Sequence, residues 1–196
     1  MRIRDVNKVE LVKEKAIELL VEVGFEGFTM SKLAKCCSIS VATLYIYYKD
    51  KDDLILQVAI EEIKRVTGIM LEGFDPEFSF AEGLRHQWAH RAKCMLENPL
   101  SYKMIEQLRS SSYQDKIFGT LTETFKNTLG VFMERAVANG EIEKMPIETY
   151  WSVAFGPLYN LVRFHNEGRG INGQPFILTE ETLWSTFNLV LKALKK

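Results

Sequence analysis

Hydroxyl, phenol and ammonium groups crowd the stretch Thr29 to Leu54, TMSKLAKCCSISVATLYIYYKDKDDL, and such groups in number suit a phosphate backbone. From Ser31 to Lys51 the charges are Lys32, Lys35, Lys49, Asp50 and Lys51, four positive against one negative. The whole chain carries 25 basic and 26 acidic residues, so this is a local patch and not a generally basic protein. A lone patch of this kind is more often a solvated face, and the elements around it decide its meaning.

Those elements read as two short helices and the start of a third. Met30, Leu33, Ala34 and Cys37 fall at i, i+3, i+4 and i+7, one face of a helix. Ser38, Ile39 and Ser40 break the pattern, and Ser40 can cap a second short helix through Tyr47. Leu44 and Tyr48 point inward there, leaving Val41, Ala42, Thr43, Tyr45 and Tyr47 to another face. Helices this short bury too little to stand alone. A helix-turn-helix placed in a DNA groove, with scaffold helices on each side, fits the pattern.

The stretch resembles the N-terminal signature of the tetracycline-repressor (TetR) family of bacterial transcriptional regulators. Gly24-Phe25, Thr29, Leu33-Ala34, Ile39-Ser40, Thr43-Leu44-Tyr45, Tyr47-Tyr48, Lys51 and Leu54 carry that resemblance, over about the first quarter of the chain. Ser38 stands where the family usually has the turn glycine, which asks for a strained left-handed residue or a different bend. Tyr48 replaces the usual Phe, and Ile46 occupies a variable site. The resemblance implies a DNA-facing set of Thr29, Ser31, Lys32, Ser40, Val41, Ala42, Thr43, Tyr45, Tyr47, Lys49 and Lys51. Within it, Thr43, Tyr47 and Lys51 would meet phosphates, and Val41, Ala42 and Tyr45 would lie nearest base edges.

The remainder reads as helix almost throughout, so the expected fold is all-α with about nine helices. A first helix has Asp5 or a neighbour as cap and ends at Gly24. Asp50 caps a fourth, Ser79 with Glu82 makes a capping box for a fifth, and Pro99 opens a sixth. A seventh runs from about Gln114 to Asn139, an eighth from Pro146 to the Asn166–Gly173 loop, and a ninth from Thr179 to Leu194. Gly156-Pro157 would kink the eighth. By resemblance, residues 1–50 form a three-helix DNA-binding domain and residues 51–196 a helical effector-binding and dimerisation domain. The break at Gly73 to Pro76 and the fourth helix before it are where the boundary falls.

Two surfaces of that body have apolar residues at helical spacing. Trp88, Arg91, Met95, Met104, Leu108, Phe118, Phe125, Trp151 and Phe155 are candidates to hold a small, largely apolar effector, with Arg91 among the polar anchors. Each aromatic alone is more often simple core. The eighth and ninth helices are too apolar for one small body to bury, which points to a homodimer seam with Tyr159, Val162, Trp184, Phe187 and Leu191. A symmetric dimer would read a roughly palindromic operator in double-stranded DNA. His86, His90 and Cys94, four apart, read as packed or surface groups, as effector contacts, or least readily as metal ligands. Cys36 and Cys37 are adjacent and diverge, which suits small apolar fillers better than a redox pair. No cofactor is expected, and no phosphate loop, nucleophile elbow or clustered acid–base set suggests an enzyme. With no apolar run of membrane-spanning length and no apolar signal core, a cytoplasmic protein is expected.

Overall fold

Side-chain caps at Thr29, Ser40, Asp50, Ser79 and Thr179 divide this chain into helices, each oxygen taking up a backbone N–H that a helix start leaves unpaired. The computed structural model describes residues 6–117 and 126–196. Asp5, Phe118 and Phe125 lie outside the described residues. The described residues form α1 (Val6–Gly27), α2 (Met30–Cys36), α3 (Val41–Leu44), α4 (Lys51–Leu71), α5 (Phe80–Glu97), α6 (Pro99–Leu108), α7 (Val131–Ala138), α8 (Ile147–Glu167) and α9 (Glu180–Leu194). Among them there is no strand, only two isolated bridges, Ile142 with Lys195 and Arg169 with Pro175.

The chain divides into two compact units. The first is Met1–Val66 with Asn98–Leu121, and the second is Thr67–Glu97 with Thr122–Lys196. The boundary therefore falls inside α4 and again between α5 and α6. This differs from a linear division after residue 50: the first fifteen or so residues of α4, and all of α6, belong with the N-terminal helices.

In the first unit, α1, α2, α4 and α6 enclose one apolar core that includes Leu20, Phe28, Leu33, Leu44, Leu54, Ile55, Met104 and Leu108, all fully buried. α1 is interrupted at Gly24, whose φ of 70° and ψ of 172° are open to glycine and costly for other residues. α6 packs along α1, and Gln107 donates to the Val21 carbonyl at 3.2 Å. A polar knot then fixes α6 to α4. Arg65 reaches Glu62 through two nitrogens (2.7 and 3.0 Å) and Asn98 at 2.9 Å, while Ser101 donates its hydroxyl to the same Glu62 carboxylate. Further along, the Tyr113 hydroxyl donates to Asp52 at 2.5 Å, in the first turn of α4.

In the second unit, α5 is the central helix and touches α7, α8 and α9. Trp88 is fully buried, its Nε1 donating to the Ala154 carbonyl at 2.8 Å and its ring standing 5.5 Å from Phe187. At the start of α5, Phe132 stacks on Phe80 at 6.0 Å and meets Phe74 edge-on at 5.3 Å. α8 continues through Pro157 for its full 21 residues, and Gly168 ends it with φ 70°. Of the expected seventh helix, residues 118–125 lie outside the described residues. A helical turn stands at 114–117, a π-helical turn at Lys126–Gly130 precedes α7, and Gly140 closes it.

Two stability effects follow. A Cβ on Gly83 would overlap the Phe132 ring, which is 2% exposed and held between two other rings. Gly83→Ala should therefore lose up to about 2 kcal/mol despite alanine's better helix propensity, read as a lower urea midpoint at unchanged slope. Glu62 is 9% exposed, and burial pushes its carboxyl up, but the bonds from Arg65 and Ser101 and the charges of Arg65 and Lys13 hold it below its ordinary value of 4.5. A lowered folded value means its contribution is complete above the unfolded value and fades as pH falls through the folded one. Glu62→Gln should cost about 1–3 kcal/mol at neutral pH and remove part of the parent's loss of stability below pH 4.5, measured by unfolding at stepped pH.

Candidate nucleic-acid interface

α2 and α3 are short, and each is built to start and stop sharply. Thr29 Oγ1 accepts from Lys32 N at 3.2 Å, and Ser40 Oγ accepts from Thr43 N at 3.1 Å. Between them Ser38 adopts φ 53°, the left-handed region, where a side chain costs about 1–2 kcal/mol. Of the two turns the serine allowed, the strained one is present. It keeps the bend a glycine would make, and Cys37, Ile39 and Ser38 N–H groups close it on α2 carbonyls.

The inward face of this pair is the one its spacing implies. Met30, Leu33, Ala34, Cys37, Leu44 and Tyr48 are buried. The outward face carries Thr29, Ser31, Lys32, Ser40, Ala42, Tyr45 and Lys49 exposed, with Val41, Thr43, Tyr47 and Lys51 half-buried. Ser40 and Thr43 hydroxyls hydrogen-bond each other at 2.9 Å, which leaves each with capacity for one more partner. Tyr47 lies along a groove with Val9, Lys13, Gln57 and Glu61. Ile46 is 63% exposed beside Tyr45 at 53%. The DNA-facing set from the sequence lacked Ile46. Its signal was an apolar residue at a position the helical spacing turns outward.

The lysines differ in how they are held. Lys51 Nζ donates to the Phe25 carbonyl at 2.9 Å, just past the break in α1, and Lys32 Nζ donates to the Gly27 carbonyl at 2.8 Å. Each ammonium has two protons left for a phosphate. Lys49 is exposed, and its backbone N–H is taken by Asp53, which with Asp50 forms the cap of α4. The Gln57 and Lys49 N–H bonds hold the Asp53 carboxyl below the usual range.

The residues assigned to an effector separate between the units. Trp88, Arg91, Met95, Trp151 and Phe155 belong to the second unit, where Arg91 faces Trp151 and Phe155. Met104 and Leu108 sit in the core of the first. Of the seam residues, Val162 and Phe187 are buried within one chain, while Tyr159, Trp184 and Leu191 are half-buried. Trp184 is covered by Arg85 at 4.0 Å and bonded to Glu180. His86 and His90 stack at 4.0 Å, His90 against the Ile69 carbonyl, and Cys94 is buried. Among the described residues no His, Cys, Asp or Glu group has the arrangement of a metal site. Cys36 is exposed and Cys37 buried, its thiol pushed up by burial.

If Lys49 and Lys51 both meet phosphate, each change to alanine weakens binding to all sequences alike and lowers the salt slope by about one. They should part in stability. Lys51→Ala also loses the bond to Phe25, worth about 1 kcal/mol, whereas Lys49→Ala leaves the melting temperature unchanged. Filter binding across a salt series, with melting curves, reads both.

The family model described as "Bacterial regulatory proteins, tetR family" matches residues 13–58, from mid-α1 into α4. An uncharacterised HTH-type transcriptional regulator of Haemophilus influenzae is 27% identical over 110 residues, 56% of this chain and 59% of that protein, so the match spans under two thirds of its length. The crystal structure of a TetR family transcription regulator from Marinobacter aquaeolei VT8 superposes over all of both chains with a TM-score of 0.86 at 27% identity. One from Haemophilus influenzae does so over all of both chains at 0.79 and 23%, a likeness of fold. These relatives are named as regulators and not as enzymes. Its cap residues, its turn and its basic outward face all lie inside the segment that matches the tetR-family model, and the whole chain has the fold of a solved TetR family transcription regulator.

Proposed function

We propose that the protein is a repressor that binds a roughly palindromic operator as a homodimer and is released by a small, largely apolar ligand in its second unit. The observation that carries this reading is the helix-turn-helix of α2 and α3, whose polar and basic residues all lie on the side away from the core. Two such heads on a symmetric dimer would enter successive major grooves about one turn apart. The ligand acts only by binding the DNA-incompetent arrangement more tightly than the competent one. α4 is the direct covalent route for that difference, because it begins in one unit and ends in the other. Among the described residues no helix is long and apolar enough to cross a membrane, and we place the protein in the cytoplasm.

The dimer is assigned to α8 and α9. Leu189 supports it, since it is 70% exposed on a helix that otherwise buries its leucines or half-buries them. A gel shift on the DNA upstream of its own gene, followed by a compound screen for release, tests the reading as a whole. Leu189→Glu should give a folded monomer that binds the operator at least tenfold more weakly, since an exposed site tolerates the charge but a seam does not. Phe187→Glu, buried beside Trp88, should instead unfold the chain. Light scattering and melting curves separate the two, and a Leu189→Glu protein that remains dimeric would move the seam elsewhere.

A further inference from the structure

Ala42, Tyr45, Ile46 and Lys49 fall at i, i+3, i+4 and i+7, and all four are exposed, while Leu44 and Tyr48 among them are buried. The turn after α3 preserves that spacing. Its Tyr45, Ile46 and Tyr47 N–H groups donate to the carbonyls of Val41, Thr43 and Leu44 at 3.3, 3.2 and 3.0 Å, so the direction of Ile46 is fixed by the backbone. Tyr45 and Ile46 are also the two most exposed large hydrophobic residues described in the first unit, at 53% and 63%, against 44% for Leu100 and 38% for Leu11. A single exposed apolar residue is ordinary. Two adjacent ones, with Ser40 and Thr43 before them and Lys49 and Lys51 after, interrupt a face that is otherwise polar or basic.

The charge of that face selects a polyanion, since four lysines stand against one aspartate from Ser31 to Lys51. Phosphate does not account for Ile46, because a hydrocarbon side chain offers an anion nothing and displaces its water. The edges of the bases are more selective. Guanine, cytosine and adenine present N–H groups or lone pairs in the major groove, and thymine alone presents a methyl. A β-branched side chain has few rotamers, so Ile46 holds a fixed apolar surface there at a small cost in entropy. We propose that Ile46 is a specificity-determining residue that reads a thymine methyl in the major groove, with the short Ala42 on the same face leaving the base edge room to approach. This rests on the reading of α3 as the groove helix. It adds a residue to the base contacts expected by resemblance, in which Val41 is half-buried whereas Ile46 is open.

The full-length protein is used to select duplexes from a randomised pool, and each thymine of the consensus is then replaced by deoxyuridine, which removes the methyl and keeps the base pair. At one or more positions in each half-site the parent should lose about fourfold in affinity, the effect of exposing one methyl-sized group. Ile46→Ala should bind the thymine and deoxyuridine duplexes equally at that position. Because the site is exposed and uncharged, this variant should keep the parent's melting temperature and salt slope. The proposal is overturned if no thymine shows the loss, or if parent and Ile46→Ala lose equally at every thymine. A clear consensus with either of those results removes the role of Ile46 and leaves the operator reading standing. A protein that enriches no duplex overturns both.

Discussion

The Glu62 carboxylate ties together the two described places where the chain leaves and re-enters its first unit. The first is at Val66 within α4, and the second is at Asn98, before α6. Arg65, one residue from the first, reaches Asn98 at the second, and both Arg65 and Ser101 bond to Glu62. An ion pair half open to water is ordinarily worth little, but here one partner is buried and accepts from two elements at once. Without it Arg65 would lose the acceptor that orients it toward Asn98, and Ser101 of α6 would lose its bond to α4. Positions of α2 and α3 depend on the apolar core of the same unit, because Leu33 and Leu44 fill it alongside Met104 and Leu108.

Local signals in the sequence were legible wherever a helix begins or a turn must bend. Ser79 with Glu82, Thr179 and Pro99 mark boundaries the structure keeps to within a residue or two, since capping is a short-range competition between side chain and backbone. The inward set of the helix-turn-helix was equally plain. Met30, Leu33, Ala34 and Cys37 at helical spacing leave one solution for which face of α2 is buried, and Leu44 and Tyr48, four apart, follow it. The strained turn at Ser38 could be located but not chosen, because a serine tolerates either bend at a cost that only the surrounding contacts decide.

What spacing could not convey is which core a buried face joins. Met104 and Leu108 carry the same four-residue interval as Trp88 and Ala92, yet the first pair packs in the DNA-reading unit and Trp88 lies in the other. Periodicity reports that a face is apolar and says nothing of its partner. The long-range bonds that settle the matter, Gln107 to Val21 and Tyr113 to Asp52, join residues 86 and 61 apart. Their donors, one on α6 and one in the turn after it, are ordinary polar residues until the fold brings the acceptors near. The same limit applied to the seam. Phe187 and Leu189 fall on opposite sides of α9 and spacing separates them, but it does not tell that the Phe187 side meets Trp88 of the same chain.

Charge distribution explains how a chain with net charge −1 can still be suited to DNA. Several acidic residues of the first unit are engaged in its framework. Asp50 and Asp53 cap α4, Asp52 accepts from Tyr113, Glu62 holds Arg65, and Glu61 pairs with Lys13. Each carboxylate so engaged is fixed in place, and its field is partly cancelled by a donor close by. Lys32, Lys35 and Lys49 have no acid within ion-pair distance among the described contacts, and two of the ammonium groups in the patch are steered by carbonyls, at Gly27 and Phe25, which leave the positive charge intact. A carbonyl orients an ammonium without neutralising it. The potential that a phosphate backbone meets is therefore set by this local excess and not by the sum over the chain, and with a Debye length of about 8 Å at physiological salt the distant acids are largely screened from it.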